Sequence, residues 1–269
     1  MHWKTDPGLY PPYLRTRIQR GKGVGKGITY KPWLKIRDVP SEGTSSSVSG
    51  IIVPRPYNLL SEIETTYFYL LERKPSTVDI QEQWPILDID RTLELCAEYG
   101  IRHNFRNSNP EPFTIDFLVT SRNNQGELSV RAASIKTPVD ASNPDIRTRL
   151  LIEYVWCLEH EIPWTLVDTS KFNKTMLANL RFMRTWYRHR YVSSPENEAL
   201  FIKNFHLSYR KNILLAEFIQ QTSKTMRLST DTTLDIFRYC TWSNFIDISL
   251  QHPLALDKPI FLNRASNHD

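Results

Sequence analysis

Cysteine is scarce in this chain. Its 269 residues include three, Cys96, Cys157 and Cys240, an odd number at wide spacing. They make neither a disulfide framework nor a paired metal motif, and they predict buried free thiols in a reducing compartment. Long apolar runs are also missing: nothing approaches the ~20 residues of a membrane span. The opening residues Met1-His2-Trp3-Lys4 lack the apolar core of a secretory signal, so a cytoplasmic protein is expected. Gly21-Lys22-Gly23-Val24-Gly25-Lys26-Gly27 is glycine-rich but lacks the G-x-x-x-x-G-K-[ST] spacing of a nucleotide-binding P-loop. No internal repeat or low-complexity segment is visible.

What is present is a core-forming composition with unevenly placed charge. Hydrophobic residues make up 40% of the chain, which argues for packed domains rather than disorder. Residues 1–55 hold ten Lys/Arg against three Asp/Glu, residues 56–168 ten against eighteen, and residues 169–269 fourteen against eight. An acidic middle suits a metal-binding centre, and basic flanks suit a polyanion. In the first segment Lys22, Lys26, Lys31 and Lys35 surround the glycine-rich run, with Tyr30 and Trp33 as anchors. Lysines on a backbone free to approach phosphates predict DNA contact; the competing reading is a solvated basic tail.

Residues 1–57 read as irregular, with Ser41–Ser49 serine-rich and prolines at 32, 40, 54 and 56. Beyond them, apolar spacing predicts helices over 59–73, 91–99 and 145–160, and strands over 78–84 and 164–167. Residues 113–136 read as a hairpin with Asn123-Asn124-Gln125-Gly126 at its tip. Together these predict one α/β domain up to Asp168, with 1–57 as its basic arm and 58–168 as its core. After Asp168 the pattern changes to helices over 172–190, 197–210, 213–226 and 232–242. Two short strand-like runs, 246–250 and 259–262, then suggest a winged-helix-like module over 169–269.

The hairpin brings Asp116, near the start of one strand, close to Lys136 at the end of its partner. Glu64 lies upstream on a helix. Two carboxylates and a lysine at one locus are what a metal-dependent phosphodiester hydrolase needs. Divalent metal makes water nucleophilic and neutralises phosphate, and Mg²⁺ (or Mn²⁺) selects oxygen ligands. The candidate ligands are Glu64, Asp116, the Ser134 hydroxyl and the Ile135 carbonyl. Lys136 would orient water or stabilise developing charge. Glu62 competes with Glu64 from a different helical face. Glu82 and Gln83 are second-tier candidates for positioning water or phosphate that read first as structural, as does His103 after its turn.

These segments, in order, resemble the TnsA endonuclease subunit family of heteromeric bacterial cut-and-paste transposons. The matching stretches are Gly21–Gly27, Tyr30–Leu34, Val39–Gly43, Leu59–Glu64 and Val78–Pro85. Gly100–His103, Thr114–Val119, Ser134–Pro138 and Ile162–Trp164 follow in the same order. The resemblance covers residues 15–168 and is weaker beyond, chiefly around 232–248. It implies a restriction-endonuclease-like catalytic domain, with Glu64, Asp116 and Lys136 at the catalytic positions. It implies cutting of transposon 5′ ends in double-stranded DNA while a partner DDE transposase (TnsB) cuts and joins the 3′ ends. Docking to an ATPase regulator (TnsC), in a bacterial, nucleoid-associated setting, is implied as well. Nucleases of this kind often hold Gln or an acid where this chain has Ser134, which shifts the expected ligation toward the Ile135 carbonyl.

Two other functions fit the residues less well. A catalytically inactive DNA-binding adaptor is disfavoured by Glu64, Asp116 and Lys136 and mildly favoured by Ser134. A stand-alone nuclease leaves the C-terminal module unexplained.

Overall fold

The computed structural model describes residues 2–36 and 45–263. The expected Val39–Gly43 match and the arginines at 37 and 264 lie outside the described residues. Contacts divide the chain into two units, Met1–Glu72 with Ser76–Ser170, and Arg73–Pro75 with Lys171–Asp269.

The first unit opens with a helix in the stretch whose prolines predict irregular structure. Helix α1 (Pro12–Gln19) begins at a proline, whose fixed φ and missing N–H suit a first helical position. It buries Leu14 and Ile18, spaced four apart, under Trp33 and Tyr10. Strands β1 (Ser46–Ser49) and β2 (Pro56–Leu59) then pair as an antiparallel ribbon, a further departure from the expected irregular arm. Helix α2 (Glu62–Glu72) follows, and then β3 (Thr77–Pro85) and α3 (Ile89–Glu98). A two-stranded turn, β4 (Phe105–Arg106) with β5 (Asn109–Pro110), precedes the hairpin of β6 (Thr114–Arg122) and β7 (Leu128–Ile135).

At the hairpin tip the Asn123 side chain accepts from the backbone N–H of Gln125 and Glu127, and Gly126 takes φ +87°. This is the asparagine-and-glycine chemistry that the sequence predicts there. Helices α4 (Pro138–Ser142) and α5 (Pro144–Glu159) carry the chain back to β8 (Trp164–Val167). A parallel β7–β8 pair requires such a crossover. The sheet order is β3-β6-β7-β8, antiparallel at the first two junctions and parallel at the last. The unit is thus a mixed-sheet α/β domain. Its core joins Trp84, Ile115, Leu118 and Ala132 from the sheet to Leu95, Ile152 and Trp156 from the helices.

Strand β3 is an edge strand, and the glycine-rich loop covers it. Gln81 Nε2 donates to the Gly25 carbonyl at 3.0 Å, and the Gly27 N–H donates to Asp79 at 2.9 Å. Gly23, at φ +69°, has no room for a side chain, because a Cβ would sit 2.3 Å from Pro85 Cγ. These glycines therefore fold the loop onto the sheet edge and protect it.

The second unit contains α6 (Lys174–Arg188), α7 (Pro195–Ser208), α8 (Leu215–Met226) and α9 (Thr230–Trp242). Phe201, Phe205, Phe218 and Phe237 fill its core, fully buried. Between the two runs expected to pair, the described residues show one isolated antiparallel bridge, Ile248↔Leu262, while Pro259 bridges to Leu214 before α8. Cys96, Cys157 and Cys240 are free and buried. No helix among the described residues is long and apolar enough to cross a membrane.

Candidate active site

Glu64 owes its position to the start of α2. The Ser61 hydroxyl accepts the Glu64 N–H at 3.2 Å and donates to Glu64 Oε1 at 3.1 Å, while the Leu60 N–H donates to Oε2 at 3.0 Å. Ser-x-x-Glu here is a capping-box pattern, in which the glutamate reaches back over unsatisfied N–H groups. The same carboxylate is buried and lies in the field of Asp116. Burial first, and the Asp116 charge second, push its pKa up.

Asp116 sits where two strands part. The last rung of β6 and β7 is Phe117 with Ala133. Beyond it Asp116 Oδ2 takes over as acceptor, receiving the Ile135 N–H at 2.6 Å and Lys136 Nζ at 2.9 Å. Lys136 Nζ also donates to the Ile135 carbonyl at 3.0 Å, and Thr169 Oγ1 donates to the Lys136 carbonyl at 2.6 Å. Burial alone would lower the Lys136 pKa, but Asp116, Glu153 and Glu64 outweigh it and raise it. The amine is therefore held as an ammonium, suited to stabilising negative charge rather than to taking a proton.

Ser134 is fully buried, and its hydroxyl is committed elsewhere: it donates to Glu153 Oε2 at 2.5 Å. Glu153, on α5, is not among the residues expected from the sequence. Burial and the nearby Asp116 charge push its carboxyl up to about 7. A signal for it exists, since Leu150, Glu153 and Cys157 lie on the buried face of α5 and an acid on such a face needs a reason.

The second-tier residues divide. Glu82 is fully buried and bound by the Arg55 guanidinium at 2.6 and 3.0 Å, so it anchors the β1–β2 ribbon to the sheet. Gln83 turns toward the site, and its Nε2 donates to Glu64 Oε2 at 3.3 Å. His103 is structural, hydrogen-bonded to Thr92 and the Asn104 carbonyl and edge-on to Phe113. Glu62 spends its backbone carbonyl on Thr66 Oγ1 and shares no side-chain bond with the Glu64 group.

In the arm, Lys22 Nζ donates to the Trp33 carbonyl at 3.1 Å and Lys31 Nζ to the Arg20 carbonyl at 3.0 Å. Lys26 is exposed and Lys35 is half-buried.

The donor atoms at the centre are all oxygens: the Glu64 and Asp116 carboxylates and the Ile135 carbonyl. Among the described residues no three His, Cys, Asp or Glu side chains are grouped closely enough to hold a metal. A set of two carboxylates fits Mg²⁺, which keeps several waters and uses one or two carboxylates together with substrate phosphate.

An α/β domain with a mixed sheet, carrying an acid–acid–lysine group where its strands part, is the class of protein that the fold and site define. Residues 74–169 match the model of the TnsA-like endonuclease N-terminal family. The chain is also 29% identical over 180 residues to the Transposon Tn7 transposition protein TnsA of Escherichia coli. That match covers 67% of this chain and 65% of the relative's length. Asp116, Ser134, Lys136 and Glu153 fall inside the family segment, whereas Glu64 and the arm precede it.

Proposed function

We propose that this chain is a magnesium-dependent DNA endonuclease of a transposition complex. It cuts the 5′ ends of the element, and a partner transposase of the TnsB kind cuts and joins the 3′ ends. The observation that carries this reading is the Lys136 ammonium bridging Asp116 Oδ2 and the Ile135 carbonyl, with Glu64 alongside. Glu64, Asp116 and the Ile135 carbonyl would hold the divalent ion, which when bound supplies Lewis acidity and a more acidic water. Lys136 supplies a fixed positive charge for the phosphate as negative charge builds on it. The arm lysines Lys22, Lys26, Lys31 and Lys35 neutralise the DNA backbone. The helical C-terminal unit, read as winged-helix-like, docks the ATPase regulator of the TnsC kind.

The test uses the conservative variants Glu64→Gln and Asp116→Asn. Glutamine also serves in a capping box, so Glu64→Gln keeps the α2 start while removing the charge. With end-bearing DNA, the partner transposase and Mg²⁺, both variants should fold and lose 5′-end cleavage. Undiminished cleavage by either folded variant overturns the site assignment. Loss of 5′ cleavage in the wild type, with DNA and partner binding intact, identifies an adaptor instead.

A further inference from the structure

Among the described residues, Gln83 is the one non-glycine residue inside a strand whose φ is positive, at +48°. The others with this feature lie in turns or at helix ends. The left-handed region disfavours a side chain like glutamine, and a residue persists there only when its surroundings over-determine it. Here they do. The β3–β6 ladder pairs Glu82 with Phe117 and Trp84 with Ile115, so its register brackets Gln83 against Asp116. The Gln83 carbonyl accepts the Trp33 N–H at 3.2 Å. Next to it, the Glu82 carbonyl accepts from Tyr30 Oη at 2.9 Å and the Pro85 carbonyl from Trp3 Nε1 at 2.7 Å. Trp33 is itself fully buried, with its indole N–H on Glu111 at 2.8 Å and the Arg17 guanidinium over its ring.

The result of this distortion is a buried amide aimed at Glu64 Oε2. We propose that Gln83 is a positioning residue that fixes the Glu64 carboxylate for metal binding, and that the N-terminal arm holds Gln83 in place through Trp33. The proposal rests on the reading of Glu64 as a metal-binding carboxylate. A partner amide orients a ligating carboxylate by occupying one of its lone pairs, and removing such a partner typically costs about 10–100-fold in metal affinity. The arm and the site are then one mechanical unit: what the arm binds, Gln83 transmits to Glu64.

Gln83→Gly and Gln83→Asn separate positioning from structure. Glycine relaxes the backbone and asparagine tolerates the left-handed region. Neither delivers the amide to Glu64. Both variants of the full chain should melt at or above the wild-type temperature. Both should bind Mn²⁺, read by calorimetry, about tenfold or more weakly. Their single-turnover cleavage should fall while their DNA affinity stays unchanged. A folded variant whose Mn²⁺ affinity stays within about twofold of wild type overturns the positioning role, provided that Asp116→Ala weakens Mn²⁺ binding. Wild-type chain that binds no Mn²⁺, or binds it without regard to Asp116, overturns the functional reading together with this role. A measurement free of mutation guards against misfolding: the Gln83 side-chain amide resonance in the wild type should shift when Mg²⁺ is added. An unmoved resonance in a chain that binds Mg²⁺ counts against the proposal.

Discussion

The Ser134 hydroxyl on β7 donates to Glu153 Oε2 on α5, joining a strand position two residues before Lys136 to a buried acid on the crossover helix. The strand hydroxyl thus spends its proton on an acid, and the acid that faces Asp116 and Lys136 comes from the helix. A buried acid whose folded pKa lies near 7, against an ordinary value of 4.5, favours its protonated form in the fold. Its contribution to stability is complete below the ordinary value and is lost as pH rises through about 7. Glu64 is displaced in the same direction. Metal-free protein should therefore melt at lower temperature as pH rises from about 5 to 8. Glu153→Gln keeps an acceptor for Ser134 and removes the charge. It should flatten this dependence and gain up to about 3 kcal/mol above neutral pH, since each tenfold change in a proton equilibrium is worth about 1.4 kcal/mol. Thermal melts in chelator across pH check both; a pH-independent wild type counts against the buried-charge account.

Lys136 is expected to matter for rate rather than binding. Its ammonium is already fixed by Asp116 and the Ile135 carbonyl, so it needs no rearrangement to meet charge building on phosphate. Lys136→Ala should slow single-turnover cleavage by about two or more orders of magnitude, with DNA affinity little changed. The reverse pattern, weak binding with a normal rate, assigns the lysine to substrate capture.

The arm lysines should separate by what they touch. Lys26 is exposed, so Lys26→Ala should lower the slope of DNA affinity against salt by about one unit and leave the fold unaltered. Lys22 ties the loop to the Trp33 carbonyl, so Lys22→Ala should also lower the melting temperature. Equal salt slopes for wild type and a Lys22/Lys26/Lys31 triple alanine variant, measured in the assembled complex, mark the arm as a solvated segment.

Local chemistry made much of this legible. Strand-like runs on either side of the polar tip Asn123-Asn124-Gln125-Gly126 marked the β6–β7 hairpin, and hence the meeting of Asp116 and Lys136. Ser61-x-x-Glu64 is a local pattern too. Glu153 was harder, because it reaches the site through a crossover helix and no spacing rule links it to Lys136. Gln83 was named from the sequence as a second-tier candidate, but its backbone twist, held by Trp33 and its neighbours, has no sequence signature. Helix α1 was missed because residues 1–57 read as irregular from a serine-rich stretch and the prolines at 32, 40, 54 and 56, none of which lies in the helix that Pro12 opens. The glycines of the glycine-rich loop also serve close packing on Pro85 and β3, which their spacing alone does not announce.

The second unit offers a last prediction. Its excess of basic residues has a definite location on α6, where Lys174, Arg181 and Arg188 recur at seven-residue spacing and are all exposed. Seven residues is close to two helical turns, so the three charges share one face. The opposite face buries Met176, Leu180 and Met183. A basic stripe backed by a buried apolar face suits docking to an acidic partner, and steering by such charge falls steeply with salt. Charge reversal at Arg181 and Arg188 should leave melting temperature and Mn²⁺ binding by the first unit unaltered. If the unit docks the regulator, binding of that ATPase should weaken about tenfold or more and lose its salt dependence, as for a steered complex deprived of its charge. Retained regulator affinity together with weakened DNA binding would instead make α6 a DNA-contacting helix. A calorimetric titration of the full-length variant against each partner distinguishes the two.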